Sequence, residues 1–122
     1  MTGQPSILIV DDELLIRDLL YDFFSGQGWS IAVAENGEKA LDVLRSRKVD
    51  LVLTDIKMPE MDGLTLKTEV QREYPDLPVI LMTGYPSVET AVTALRSRVV
   101  DYIIKPFNIN QLYKLVDATV HH

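Results

Sequence analysis

Four short aliphatic runs in this chain each end in residues able to do chemistry. Ile7-Leu8-Ile9-Val10 runs into Asp11-Asp12, Leu51-Val52-Leu53 leads through Thr54 to Asp55, Val79-Ile80-Leu81-Met82 ends in Thr83, and Tyr102-Ile103-Ile104 ends in Lys105-Pro106. Brought to one place, they offer three carboxylates, a hydroxyl and an ammonium. Carboxylates so crowded repel: at about 4 Å each pair costs roughly 4 kcal/mol at an effective dielectric near 20. Two positive charges could offset that, the Lys105 ammonium or a hard divalent cation. Mg2+ suits the second role, because it is bound by one or two carboxylates together with waters and a phosphate. Each residue also has an ordinary reading. Asp11-Asp12 serves as a double helix N-cap, Asp55 opens a turn ahead of Pro59 and Gly63, Thr83 is a turn hydroxyl before Gly84, and Lys105 is a surface cation. None is specific alone. The specific signal is the set, in fixed order, at the ends of four separate runs.

The elements that must position this set follow from periodicity. Ile7 to Val10, Ile31 to Ala34, Leu51 to Leu53, Val79 to Met82 and Tyr102 to Ile104 are short and aliphatic, as strands buried on both faces should be. Between them lie amphipathic segments. Val88, Ala91, Val92 and Leu95 share one helix face at i, i+3, i+4 and i+7, and Leu112, Leu115, Val116 and Val120 repeat the pattern. Asn108 is placed to cap the last helix with Gln111 reaching back, while Asn36-Gly37, Asp62-Gly63 and Ser87 mark the starts of the second, third and fourth helices. Strands alternating five times with helices, without repeat or linker, predict a single three-layer α/β domain with a parallel sheet covered on both faces. In such sheets ligands gather at the carboxyl ends of the strands, which is where the five chemical residues fall.

Composition narrows the class. The chain has 122 residues, 47% of them hydrophobic and 25% charged, which suits one globular domain with a single core. Twelve Lys and Arg against eighteen Asp and Glu give a net charge of -6. That balance disfavours direct binding of a nucleic-acid backbone and favours a cationic partner surface or a bound cation. With no Cys, disulfides, thiol catalysis and thiolate metal sites are excluded. The polar start and the absence of any apolar run of about 20 residues predict neither signal peptide nor membrane span, in keeping with a cytoplasmic location.

The motifs Ile9-Val10-Asp11-Asp12-Glu13, Asp55-Ile56-Lys57-Met58-Pro59 with Asp62-Gly63, Leu81-Met82-Thr83-Gly84, and Asp101-Tyr102-Ile103-Ile104-Lys105-Pro106-Phe107 resemble the receiver domain of a two-component response regulator. The stretch Thr83-Gly84-Tyr85 through Val88-Glu89-Thr90-Ala91-Val92 resembles the receivers of nitrogen-regulator-type (NtrC-like) transcription factors. The resemblance implies a single flavodoxin-like (βα)5 domain over 1–122, with a core from about 6 to 120, strand order 2-1-3-4-5, and an effector domain outside this chain. It implies that Asp55 is the phosphoacceptor, taking a phosphoryl group from a sensor histidine kinase. Asp12, Asp55 and the backbone carbonyl of Lys57 match the Mg2+ ligands, and Asp11 matches the residue that holds the ion through water. Lys105 and Thr83 match the residues that contact the phosphoryl oxygens, and Thr83 with Tyr102 the switch pair. The implied readout surface is the fourth helix, fifth strand and fifth helix, acting on a transcriptional output domain or partner protein, with a phosphorylation-dependent homodimer. Such a domain is not a conventional enzyme; it phosphorylates and dephosphorylates itself with Mg2+. The Lys105-Pro106 bond is expected to be cis.

One departure stands out: Arg98-Val99-Val100 occupies the place where such receivers commonly carry Gly-Ala before Asp-Tyr. A left-handed Arg98 would cost on the order of 1 to 2 kcal/mol, which predicts intact chemistry with a shifted switch equilibrium. Lys57 and Tyr85, two residues beyond Asp55 and Thr83, border the path of attacking water and are expected to set the lifetime of the phosphorylated state. Two other classes fit these residues less well. A Mg2+-dependent phosphohydrolase with an aspartyl-phosphate intermediate needs an acid two residues after the nucleophile, where this chain has Lys57. A flavodoxin-like cofactor binder needs a Ser-, Thr- and Gly-rich loop after strand one, where Asp11-Asp12-Glu13 would repel phosphate. Glu13 reads as a first-turn helix residue favoured by the dipole, Phe23, Phe24 and Trp29 as packing around helix one, and His121-His122 as a frayed end or tag remnant.

Overall fold

A computed structural model describes residues 4–84 and 101–121. The strands are β1 (Ser6–Val10), β2 (Ser30–Ala34), β3 (Leu51–Asp55), β4 (Val79–Thr83) and β5 (Asp101–Ile104); the helices are α1 (Leu14–Gly26), α2 (Gly37–Ser46), α3 (Gly63–Glu73) and α4 (Ile109–His121). The helix expected at Val88 to Leu95, its Ser87 cap, Tyr85 and the Arg98-Val99-Val100 departure lie outside the described residues. All strand pairings are parallel and the order is β2-β1-β3-β4-β5, as expected. None of the described helices is long and apolar enough to cross a membrane.

Strand alternation divides the interior in two. Leu8, Val10, Val52, Val79 and Leu81 point to one face and pack against Ala40, Leu41, Leu44, Leu66 and Val70 of α2 and α3. Ile7, Ile9, Leu51, Leu53, Ile80 and Met82 point to the other and meet Leu20 and Phe24 of α1 and Leu112 and Val116 of α4. This is the period of two of a pleated strand, buried on both sides. Burial on both faces holds for β1, β3 and β4 but not at the sheet edges, where Val33 of β2 and Ile104 of β5 are exposed. An edge strand has a neighbour on one side only, so a helix layer covers it incompletely.

The caps follow the sequence at three helices. Asn36 accepts from the Lys39 N–H at 2.8 Å, Asp62 from the Thr65 N–H at 2.8 Å, and Asn108 from the Asn110 and Gln111 N–H groups at 3.0 and 3.1 Å. At α1 the expectation fails in detail. Glu13 is the N-cap, with extended backbone and no side-chain cap bond, and the helix begins at Leu14. The Glu13 N–H instead donates back to Asp11 Oδ1 at 2.9 Å. After α1, Gly28 takes φ 87, and the Trp29 N–H donates to the Phe24 carbonyl at 3.1 Å. A left-handed glycine closing a helix in this way brings Trp29 beneath Phe24, where its Nε1–H donates to the Tyr113 hydroxyl at 3.1 Å. The aromatic residues are thus packing, as expected, and they join α1 to α4.

Candidate functional site

Strand register determines what meets at the carboxyl edge. Val10 pairs with Thr54, Asp55 with Met82, and Thr83 with Ile104. Asp11, Asp55, Thr83 and Lys105 are therefore each the last residue of a strand or the first beyond it, on adjacent strands. The Lys105 N–H donates to the Thr83 carbonyl at 2.7 Å, and the Lys105-Pro106 bond is cis, as expected. Asp11, Asp55 and Thr83 are buried, while Asp12 is exposed at the rim.

Three acids come together here. Asp11, Asp12 and Asp55 each offer an oxygen, and these oxygens lie within 4.8 Å of one another. That is close to the roughly 4.2 Å span across an octahedral Mg2+ with bonds of about 2.1 Å. The donor set is hard oxygen only, so the residues fit such an ion. Lys105 reaches across the cluster, its Nζ 2.7 Å from Asp11 Oδ2, 3.3 Å from Asp55 Oδ2 and 3.5 Å from Glu13 Oε1. Lys105 pairs with both buried acids, and its shorter contact is with Asp11, whose side chain has no solvent exposure.

One ammonium does not neutralise the cluster. Burial, followed by the negative charge of Asp11, pushes the Asp55 carboxyl up to about 6, although Lys105 and the Ile56 N–H, which donates to Asp55 Oδ1 at 2.9 Å, both pull it down. Burial also works against the charge on Lys105, but its hydrogen bonds to and attraction toward Asp11 and Asp55 outweigh that, and its pKa ends above the usual lysine value. A perturbed carboxyl beside a cationic partner at a strand end is the pattern expected of a reactive site. Lys57 is exposed and Tyr102 half-buried on β5.

Two participants escaped the sequence reading. Arg17, on the first turn and a half of α1, donates to the Asp11 backbone carbonyl at 2.7 Å and fixes the strand end from outside. Glu13 faces Lys105 rather than the helix dipole. Both depend on how the Asp11-Asp12 turn enters α1, and no spacing rule encodes that.

The model of the response regulator receiver domain matches residues 7–117. The regulatory protein AtoC of Escherichia coli K12 is 47% identical over 120 residues, covering 98% of this chain and 26% of AtoC. The DNA-binding transcriptional regulator NtrC of Klebsiella pneumoniae is 40% identical over 114 residues, covering 93% of this chain and 24% of NtrC. The chain thus spans about a quarter of the length of these curated relatives. Among solved structures, the response regulator protein TrrA of Thermotoga maritima, in complex with Mg2+-BeF, superposes with a TM-score of 0.85 at 35% identity, covering 95% of this chain and 99% of that one. With its strand order, its edge of acids and these relatives, NtrC among them, the chain belongs to the response regulator receiver domain family.

Proposed function

We propose that this chain is the phosphoacceptor of a two-component system, with Asp55 as the residue that takes the phosphoryl group. One observation carries the reading: Asp55 ends β3 as a buried carboxylate, with Asp11 and Asp12 oxygens close beside it and the Lys105 ammonium at 3.3 Å. An Asp55 oxygen attacks phosphorus, the phosphorus–nitrogen bond to the kinase histidine breaks, and the imidazole leaves with the bonding pair and takes a proton from solvent. The product is an acyl phosphate. The Ile56 N–H holds Oδ1, so the oxygen on the Lys105 side is the nucleophile. Lys105 then exchanges a carboxylate for a phosphoryl oxygen, a charge-assisted bond. The Thr83 hydroxyl turns to a second oxygen and Tyr102 follows it inward, altering the surface that β5 and α4 present.

Asp12, Asp55 and the Lys57 backbone carbonyl would hold Mg2+, with Asp11 behind them. When bound, the ion offsets carboxylate repulsion and stabilises charge on the transferring group. The Mg2+-BeF complex of TrrA supports that assignment. The names of the relatives support a transcriptional output. On this reading a sensor histidine kinase is the donor, an output domain or partner protein the recipient, a phosphorylation-dependent homodimer a further state, and the cytoplasm the location. The phosphohydrolase alternative is disfavoured by Lys57, a cation where a leaving-group acid is needed.

Incubation with acetyl phosphate and Mg2+ tests the reading. The expected result is a gain of one phosphoryl group, stable to acid and labile to base, that needs Mg2+ and disappears in Asp55→Asn. Release of phosphate from external phosphomonoesters would favour the hydrolase. The metal has its own test: at tenfold its Kd, Mg2+ should add roughly 1.4 kcal/mol of stability to the parent chain. A similar gain in the chain carrying both Asp12→Asn and Asp55→Asn would remove these residues from the metal site.

A further inference from the structure

The loop from Ile56 to Asp62 connects the carboxylate of β3 to α3, and its two ends are held differently. At the α3 end, the Gly63 N–H donates to the Ile56 carbonyl at 2.8 Å. A Cβ on Gly63 would lie 2.2 Å from the Asp55 carbonyl oxygen and 2.9 Å from Ile56 Cα, so α3 begins directly against the Asp55 backbone. In the middle of the loop, Glu60 has φ 68 and the Met61 N–H donates to the Pro59 carbonyl at 2.8 Å. That is a three-residue turn of the rarer, strained hand in a residue with a side chain. Strain of this kind persists only where the surroundings over-determine it.

The surrounding element is α2. A Cβ on Gly37, the first residue of α2, would lie 2.5 Å from Met61 Sδ, 2.9 Å from its Cγ and 3.1 Å from its Cβ. The Met61 side chain therefore rests along its length in space that only glycine leaves open, and it packs against the core beneath α2 and α3. The Asn36 cap and the burial of Ala40, Leu41 and Leu44 fix α2 in turn.

We propose that Met61 is a positioning residue for the acceptor loop: seated in the Gly37 notch, it holds the strained turn at Glu60 and so places the loop backbone from Lys57 onward for the cation. This rests on the reading of Asp55 and the Lys57 carbonyl given above. Anchoring of this sort fixes ligands from behind, and losing it costs about tenfold in metal affinity.

Four variants test it: Met61→Ala, Gly37→Ala, the two combined, and Met61→Leu. The readouts are Mg2+ affinity by titration calorimetry and hydrogen exchange of the Met61 and Gly63 amides in metal-free protein, with thermal unfolding alongside. Met61→Ala and Gly37→Ala should each weaken Mg2+ binding by about tenfold and speed exchange at residues 61 and 63. The combined variant should be no worse than Met61→Ala alone, because the methyl group then enters vacated space. Met61→Leu, close in volume, should stay within about twofold of the parent. Parent-like affinity and exchange in both single variants would overturn the role of Met61, as would losses that multiply in the combined variant. Should Gly37→Ala fail to fold, the combined variant must fold, and its failure would also overturn the proposal. A parent chain that takes up no Mg2+ overturns the reading of the site instead.

Discussion

Replacing Lys105 by alanine should destabilise the metal-free protein by about 3 kcal/mol, and Mg2+ should restore much of that loss. The ammonium sits 2.7 Å from an Asp11 carboxylate that has no solvent exposure, and 3.3 Å from Asp55. Removing one partner of a buried pair leaves an uncompensated buried charge, which costs about 3 to 5 kcal/mol; the 12% exposure of the Lys105 side chain places the expectation at the low end. The Glu13 N–H and neighbouring Asp12 do not substitute, since the first already binds Asp11 and the second adds negative charge. Urea denaturation of parent and variant, with and without Mg2+, measures both effects. A loss under about 1 kcal/mol, the level of an exposed ion pair, would mean that Lys105 is not what balances the cluster.

Asp55→Asn should do the reverse, stabilising the metal-free protein by about 2 kcal/mol at neutral pH. The Asp55 carboxyl is raised from 3.8 to about 6, by burial first and by Asp11 second. The folded state therefore holds that proton more tightly than the unfolded chain, and ionising Asp55 weakens the fold. The penalty is complete above about pH 6 and is withdrawn as pH falls from there toward 3.8. At 1.36 kcal/mol per pKa unit the net shift, which already includes the attraction of Lys105, sets an upper limit of about 3 kcal/mol, and the amide gives part of it back because its NH2 is a donor facing the Ile56 N–H or the Lys105 ammonium. The advantage of the variant should thus shrink between about pH 6 and 4 and be gone below that, where Asp55 is neutral in both states. Unfolding at a series of pH values checks this; a stabilisation that does not vary with pH would assign the effect to packing. Residues that bind and react well are often those the fold would be more stable without.

The sequence placed the elements because every central strand is a short aliphatic run between amphipathic helices. It located the candidate site because Asp11, Thr83 and Lys105 directly follow such a run and Asp55 follows one across Thr54. Strand ends were less legible: β3 continues two residues past Leu53, since Thr54 and Asp55 are polar and periodicity stops at polar residues while backbone pairing does not. The edge strands read like the central ones, although Val33 and Ile104 face solvent, because an isolated run of apolar residues carries no record of its neighbours. Within the candidate site, which residues meet was legible but not how they pair. That Lys105 lies nearer Asp11 than Asp55, that Arg17 braces the Asp11 carbonyl, and that Glu13 is a cap rather than a first-turn residue all follow from one turn at residues 11–13. Gly37 and Met61 lie 24 positions apart and read singly as a helix start and a loop apolar residue. Their contact exists only once α2 and α3 share a face of the sheet.

If Asp55 accepts the phosphoryl group, locating that group on the chain reveals it most directly. Protein phosphorylated with acetyl phosphate and Mg2+ can be reduced with borohydride, which converts an aspartyl phosphate to homoserine, then digested and sequenced by mass spectrometry. The expected result is homoserine at residue 55 alone, absent when Mg2+ is omitted. Homoserine at Asp11, Asp12 or Asp62 with Asp55 intact, or a modified chain carrying none, would contradict the account.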